Sequence, residues 1–279
     1  MSPKERQLFG TDGIRGVAGE YPLDCRTVFA IGRALGQRLA SAGAPKHVVI
    51  GQDTRASSGW IADTIASGLL STGMQVESAG VLTTPGVAYL ARSKGFAAGV
   101  VISASHNPWQ DNGIKIFSGT GYKLPDALEH QIEANIFSLL RTPAEAPSAT
   151  FKSLPGNRRL HDEYVKWLSD SVRHADLSGL KVLVDCANGA ASAVAPDVFR
   201  SVGVHGIFRH DAPDGRNINL DCGALHPEDV ARSLASERAQ YHLGVTFDGD
   251  ADRARQDDPH AQPDGRPARP LHRAVAGDE

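Results

Sequence analysis

Residues 47–70 read HVVIGQDTRASSGWIADTIASGLL, and the order of residue types in this stretch decides the fold class. HVVI is a short β-branched run bounded by Pro45 and Gly51, as expected of a strand buried on both faces. The polar loop Gln52-Asp53-Thr54-Arg55 follows it. Ile61, Ile65, Leu69 and Leu70 then recur at helical spacing and place an apolar stripe on one side of a helix. Strand, polar loop and helix in that order form the repeating unit of a largely parallel sheet, whose strands need helical crossovers.

The same unit recurs on both sides. Residues 76–82 read as the next strand, and Thr83-Thr84-Pro85 opens a helix reaching Leu90, because Thr caps helices and Pro suits a first turn. Residues 97–102 (AAGVVI) form a third buried strand, followed by the loop Ser103-Ala104-Ser105-His106-Asn107-Pro108. Residues 141–156 are rich in Ala, Pro and Ser without periodicity, which marks a domain boundary. Beyond it Tyr164, Val165, Leu168 and Val172 share a helical face, and residues 180–184 (LKVLV) form a strand ending in Asp185-Cys186-Ala187-Asn188-Gly189. Val194, Val198 and Val202 mark a helix, and residues 243–247 (LGVTF) form a strand that runs into Asp248-Gly249-Asp250-Ala251-Asp252-Arg253. In sheets of this kind ligands gather at the carboxyl ends of strands, so the loops are expected to hold the chemistry.

Composition narrows the function. The 29 basic residues nearly balance the 32 acidic ones, for a net charge of −3, and no Lys/Arg block stands out. Nucleic acid and membrane surface are therefore not expected partners, and a small molecule is. Three cysteines, Cys25, Cys186 and Cys222, without C-x-x-C spacing fit a reducing cytoplasm rather than a disulfide framework or a structural zinc site. The first seven residues lack the apolar core of a signal peptide, and no run approaches the roughly 18 apolar residues of a membrane span.

Four segments could carry chemistry. Asp248, Asp250 and Asp252 alternate, and in extended backbone such residues point to one side, so three hard carboxylates would converge on a divalent cation such as Mg²⁺. A solvated acidic turn is the competing reading. A calcium EF-hand loop is excluded, since Arg253 stands where it needs Gly and Pro259 where it needs Glu. Ser105 follows a strand in a tight turn with Pro108 and could act as a covalent phosphoryl carrier. An ordinary Ser/Asn/Pro turn is its alternative, and no G-x-S-x-G elbow occurs. Gly10-Thr11-Asp12-Gly13-Ile14-Arg15-Gly16 offers backbone and a guanidinium to an anion, or is simply a Gly-rich entry turn. Neither of the better-known nucleotide loops is present. Lys115, in the strand-like GIKIF segment, could hold phosphate or transfer a proton, or be merely solvated.

Together these segments resemble the phosphohexomutase superfamily, and within it the bacterial phosphoglucosamine mutase branch. The resemblance rests on FGTDGIRG (residues 9–16), GQDTR (51–55), VISASHNPWQDNGIK (101–115), VDCANGA (184–190) and FDGDADR (247–253), which follow the family's order. It implies three-layer α/β/α domains with mixed, mostly parallel sheets: domain I over residues 1–150 with the phosphoserine loop, most of domain II over residues 151–253 with the metal loop, and a non-family, disordered tail over residues 254–279. It also implies that Ser105 carries a phosphoryl group and that one Mg²⁺ is held by Ser105, Asp248, Asp250 and Asp252. By the same resemblance Lys115 and His106 serve catalysis, with proton handling assigned to Lys115, and Arg15, Arg253, Asn107 and Thr11 surround the phosphate. The implied reaction interconverts glucosamine 6-phosphate and glucosamine 1-phosphate through a bisphosphate intermediate, with phosphoglucomutase/phosphomannomutase chemistry or a non-catalytic fragment as alternatives.

The family has four domains, and its third-domain sugar loop (GExSGH-like) and fourth-domain phosphate clamp (RxSGTEP-like) do not occur in the 279 residues. Residues 254–279 hold four of the sixteen prolines and only Leu271 and Val275 among Leu, Ile, Val and Phe. Such a segment buries too little apolar surface to offset its ordering entropy. A truncation by a change of reading frame just after Arg253 is therefore expected, with weak Mg²⁺ binding and slow turnover. Ala251, where the family more often has Gly, is expected to matter little because it adds little bulk.

Overall fold

The computed structural model describes residues 8–141, 153–236 and 240–257. The first sheet has five strands in the order β1-β5-β4-β2-β3: β1 (Ile14–Val17), β2 (His47–Gln52), β3 (Gln75–Val81), β4 (Ala98–Ile102) and β5 (Asp111–Ser118). β2 pairs parallel with β3 and β4, whereas β5 pairs antiparallel with β4 and β1. Alternation along the strands divides the core. Val48, Ile50, Val100 and Ile102 face α1 (Cys25–Ser41), α2 (Ser58–Leu70) and α4 (Asp126–Arg141), while Val49 and Val101 face α3 (Thr84–Ser93). A helical layer thus covers each face. Full burial of one Ile or Leu is worth about 1.5–3 kcal/mol, and large residues such as Ile14, Ile31, Ile61, Leu69, Leu90 and Ile114 are completely buried.

Capping follows the sequence reading at α3, where Thr83 accepts a hydrogen bond from the Gly86 N–H at 3.2 Å and Pro85 lies in the first turn. Asp24 caps α1 in the same way through the Thr27 N–H.

The second sheet runs β7-β6-β8-β9, with β6 (Lys181–Asp185), β7 (His205–Arg209), β8 (Leu243–Phe247) and β9 (Ala254–Asp257). β6 pairs parallel with β7 and β8, and β9 returns antiparallel along β8. α6 (Ala191–Ser201) covers one face and α7 (Glu228–Ser236) the other. Val172 and Val202 fall at helix C-caps rather than within helices.

One expectation changes. Residues 254–257 belong to a strand rather than to a disordered tail: backbone pairing of Thr246 with Arg255 and of Phe247 with Ala254 needs no apolar side chains at this edge. The rest of the expected tail, residues 258–279, lies outside the described residues, as do residues 142–152 of the expected boundary. The helix that opens the second unit, α5 (Arg158–Ser171), packs on the first sheet's outer layer. Its Leu160 and Tyr164 share a core with Val49, Leu82, Val87, Leu90 and Val194 of α6. The first helix of the second unit thus packs on both units.

Candidate active site between the two sheets

Ser105 lies just past the carboxyl end of β4, with φ of +54°, in the left-handed region that non-glycine residues rarely occupy. Its N–H donates to Ser103 Oγ at 2.9 Å. The turn projects Ser105 Oγ across the gap between the units, where it donates to Asp248 Oδ2 at 2.7 Å. His106 Nδ1 stands 3.4 Å from the same hydroxyl.

The three aspartates do converge, with ligating oxygens all within 4.8 Å of one another. The reason differs from the alternation argument. Asp248–Arg253 is a tight β8–β9 connection closed by the Ala251 N–H on Asp248 O at 3.0 Å and the Arg253 N–H on Asp248 Oδ1 at 3.1 Å. Ala251 sits at φ +54°, so a glycine preference at this position reflects backbone conformation rather than bulk. Gly249 is required by close approach: a Cβ there would lie 2.5 Å from Ser105 O, and one on Gly189 would lie 2.4 Å from Gly249 O. The glycines of VDCANGA and FDGDADR therefore stack back to back beneath the serine turn.

Charges in the site are unequal. Asp248 is pushed up to about 7 by burial first and by Asp250 and Asp252 next. Asp250 is buried as well, yet the Lys115 ammonium, 2.6 Å from Oδ2, and the Thr84 hydroxyl hold it below the ordinary carboxyl value. Lys115 reaches Asp252 at 3.4 Å as well, and the two carboxylates outweigh its own burial and raise it above the ordinary lysine value. His106 is lowered by burial, then by Arg253 and Arg15, and so is neutral at neutral pH. Arg15 sits on β1 with its partner Gly113 on β5, 3.6 Å from Asp12, and Arg253 is largely exposed beside Asp252.

Of the residues expected at the site, Ser105, His106, Lys115, Asp248, Asp250 and Asp252 come together, with Arg15 and Arg253 flanking His106. Asn107 turns inward, donating to Asp111 Oδ2 at 2.9 Å, and Thr11 is exposed in the turn closed by Gly10 N–H on Gly13 O. The sequence reading gave no site role to Thr84, Arg55 or Asn219. Thr84 N–H donates to Asp250 O at 2.9 Å, and its place at the start of α3, directly after a strand, was the available signal. The Arg55 side chain is wholly buried and paired with Asp53 at 2.8 Å; its signal was a charged residue in the loop after β2, next to β4. Asn219, at φ +59°, carried no pattern of its own.

A hydroxyl held in a left-handed turn against a three-carboxylate loop, with a lysine and two arginines around it, is equipped to bind a divalent cation and a phosphate and to exchange a phosphoryl group. Comparison with known proteins assigns the two domains: residues 6–142 match phosphoglucomutase/phosphomannomutase α/β/α domain I and residues 162–256 match α/β/α domain II. The chain belongs to the phosphoglucomutase/phosphomannomutase family. It is 58% identical over 256 residues to a phosphoglucosamine mutase of Koribacter versatilis (strain Ellin345), covering 91% of this chain and 55% of that protein. It is 51% identical over 249 residues to the phosphoglucosamine mutase of Solibacter usitatus (strain Ellin6076), covering 89% and 54%. Among solved structures, a putative phosphomannomutase from Thermus thermophilus superposes with a TM-score of 0.76 at 26% identity, covering 93% of this chain and 58% of that one. The chain spans about half the length of the curated relatives it matches. Among the described residues, no helix is long and apolar enough to cross a membrane.

Proposed function

We propose that this chain carries the phosphoserine and metal-binding half of a phosphoglucosamine mutase, which interconverts glucosamine 6-phosphate and glucosamine 1-phosphate. The carrying observation is the 2.7 Å contact between Ser105 Oγ and Asp248 Oδ2, made between two loops of separate sheets. The donor set fits Mg²⁺: three carboxylates supply hard oxygens, and Oδ1 of Asp250 and Oδ1 of Asp252 are buried without a hydrogen-bond partner among the described residues. Asp248, Asp250, Asp252 and the phosphorylated Ser105 would hold the ion. When bound, it would neutralise phosphate charge during transfer.

In the proposed cycle the phosphoryl group moves from phosphorylated Ser105 to the free hydroxyl of the sugar monophosphate. The sugar O–P bond forms and the Ser105 Oγ–P bond breaks, and the proton given up by the sugar hydroxyl passes through neutral His106 to the released Ser105 Oγ. The return step transfers the other phosphate of the bisphosphate to Ser105. Neutral His106, 3.4 Å from Ser105 Oγ, is placed to hold the serine proton in that step. Lys115, charged and held by Asp250 and Asp252, supplies positive charge beside the transferring phosphate. Arg15 and Arg253 are assigned to the incoming phosphate, where a guanidinium gives two parallel bonds. Three free thiols, Cys25, Cys186 and Cys222, accord with a reducing cytoplasm as the place of this reaction.

The likeness to a phosphomannomutase structure supports mannose phosphates as a second substrate reading, and the family's phosphoglucomutase/phosphomannomutase description adds glucose phosphates to it. Coupled assays with glucosamine, glucose and mannose 6-phosphates separate the two. Turnover confined to glucosamine 6-phosphate supports the first, and preference for either neutral sugar contradicts it.

A further inference from the structure

Two carbonyl oxygens of the serine turn each accept two side-chain donors, one from each half of the protein. Arg55 Nη2 donates to Ser105 O at 3.0 Å and to Asn107 O at 2.9 Å, and Nη1 donates to Asp111 O at 3.1 Å and to Pro108 O. Asn219 Nδ2, from the second unit, donates to the same Ser105 O at 2.9 Å and Asn107 O at 3.2 Å. The guanidinium is itself fixed: Asp53 accepts from Arg55 Nε and from Ser58 Oγ at 2.7 Å, so the fork cannot swing.

The Asn219 donor is anchored from the opposite side. Its backbone N–H donates to Ala187 O at 2.9 Å. Asp185, completely buried, accepts from Ala187 N–H at 2.8 Å and Gly223 N–H at 2.9 Å, tying both ends of the segment to β6. Gly249 of the aspartate loop closes beneath, where an added Cβ would meet Ser105 O at 2.5 Å and Asn219 Nδ2 at 2.9 Å.

We infer that Asn219, acting with Arg55, is a positioning residue of the phosphoserine turn, a latch through which the second unit holds Ser105 in its left-handed conformation with Oγ on Asp248. A left-handed serine persists only where its surroundings over-determine it, and six side-chain hydrogen bonds to four carbonyls of one turn do so. Asn suits position 219 on two counts, since it tolerates φ +59° and its amide offers two donors. The inference rests on Ser105 being the phosphoryl carrier, while its geometric part stands apart from that reading.

The test uses the full chain and the variants Asn219→Gly, which keeps the positive φ but removes the amide, and Asn219→Asp, which keeps the shape but replaces donors by an anion. Arg55→Lys is the companion variant, retaining charge against Asp53 while losing the fork. Two readouts are taken: amide exchange across residues 103–112, and the rate of phosphate transfer from glucosamine 1,6-bisphosphate to Ser105, followed by intact mass. In Asn219→Gly the Ser105 and Asn107 amides should exchange about tenfold faster with β2 and β4 unchanged. The maximal transfer rate should fall about tenfold, the half-saturating concentration staying within about twofold. Asn219→Asp should lose more. A melting temperature close to wild type for Asn219→Gly separates this from unfolding. Exchange and transfer both within about twofold of wild type would overturn the inference. If the wild type takes up no phosphate, the proposed function fails, and the exchange result alone then upholds or overturns the latch.

Discussion

Ser105 Oγ and Asp248 Oδ2, 143 residues apart in sequence, meet at 2.7 Å. The contact joins the loop after β4 to the loop after β8, so neither sheet alone builds the site. Changes at that junction should register in stability, in cation binding and in phosphate transfer.

Gly249 has no room for a side chain. Gly249→Ala would place a methyl group 2.5 Å from Ser105 O, against backbone that cannot yield cheaply. Overpacking of this kind costs about 1–3 kcal/mol, so thermal unfolding should show a fall of several degrees together with weaker Mg²⁺ binding. An unchanged melting temperature would contradict the packing described.

Cation binding should depend on pH through Asp248, pushed up to about 7. A bound cation must displace that proton, so Mg²⁺ affinity should fall about tenfold per unit as pH drops below 7 and level off above it. Calorimetry in two buffers of different ionisation enthalpy counts the proton released. The stability sign is the reverse of the usual carboxylate case. The folded value lies above the unfolded value of 3.8, so the contribution of this group without metal is fully present below 3.8 and declines as pH rises through about 7.

Lys115 balances a nearly dry carboxylate. Lys115→Met leaves Asp250 without its 2.6 Å partner, and breaking such a pair costs about 3–5 kcal/mol. Denaturant unfolding without metal should show the loss, and Mg²⁺ should stabilise this variant more than it stabilises the wild type. Equal stabilisation of both would count against a cation at the three aspartates.

Tyr164 ties α5 to the first sheet. Its ring packs beside Tyr89 and Trp167, and its hydroxyl lies 3.3 Å from Thr83 Oγ. Replacing a buried aromatic residue by Ala costs about 3–5 kcal/mol, and denaturant titration of Tyr164→Ala should show a loss of that size. A change below about 1 kcal/mol would mean that α5 is not part of the shared core.

The strands were legible wherever an apolar run ended in a polar loop, because burial on both faces leaves a continuous β-branched signal, as in HVVI and AAGVVI. The aspartates and Ser105 were legible by residue type and by their place after strands. How the aspartates converge was not, since it depends on a β8–β9 turn and a left-handed Ala251 that alternation does not describe. The pairing of β9 was hidden because edge hydrogen bonds are made by backbone and leave Ala254-Arg255-Gln256 looking like loop. The role of Arg55, which closes the GQDTR motif, and of Asn219 was hidden for a related reason: both act on carbonyl oxygens, and no side-chain pattern records where a carbonyl will point. The docking of α5 on the first sheet likewise depends on tertiary packing, which the apolar face of Tyr164, Val165 and Leu168 announces without naming its partner.

Everything proposed for the site turns on Ser105 accepting a phosphoryl group beside a cation held by Asp248, Asp250 and Asp252. Incubating the chain with glucosamine 1,6-bisphosphate and Mg²⁺, then mapping phosphate by mass spectrometry of peptides, puts this to the test. One phosphate is expected, on Ser105, lost in Ser105→Ala and greatly slowed by Asp248→Asn or by chelation of the metal. Phosphate on another residue, or uptake indifferent to Mg²⁺ and to Asp248, would contradict it.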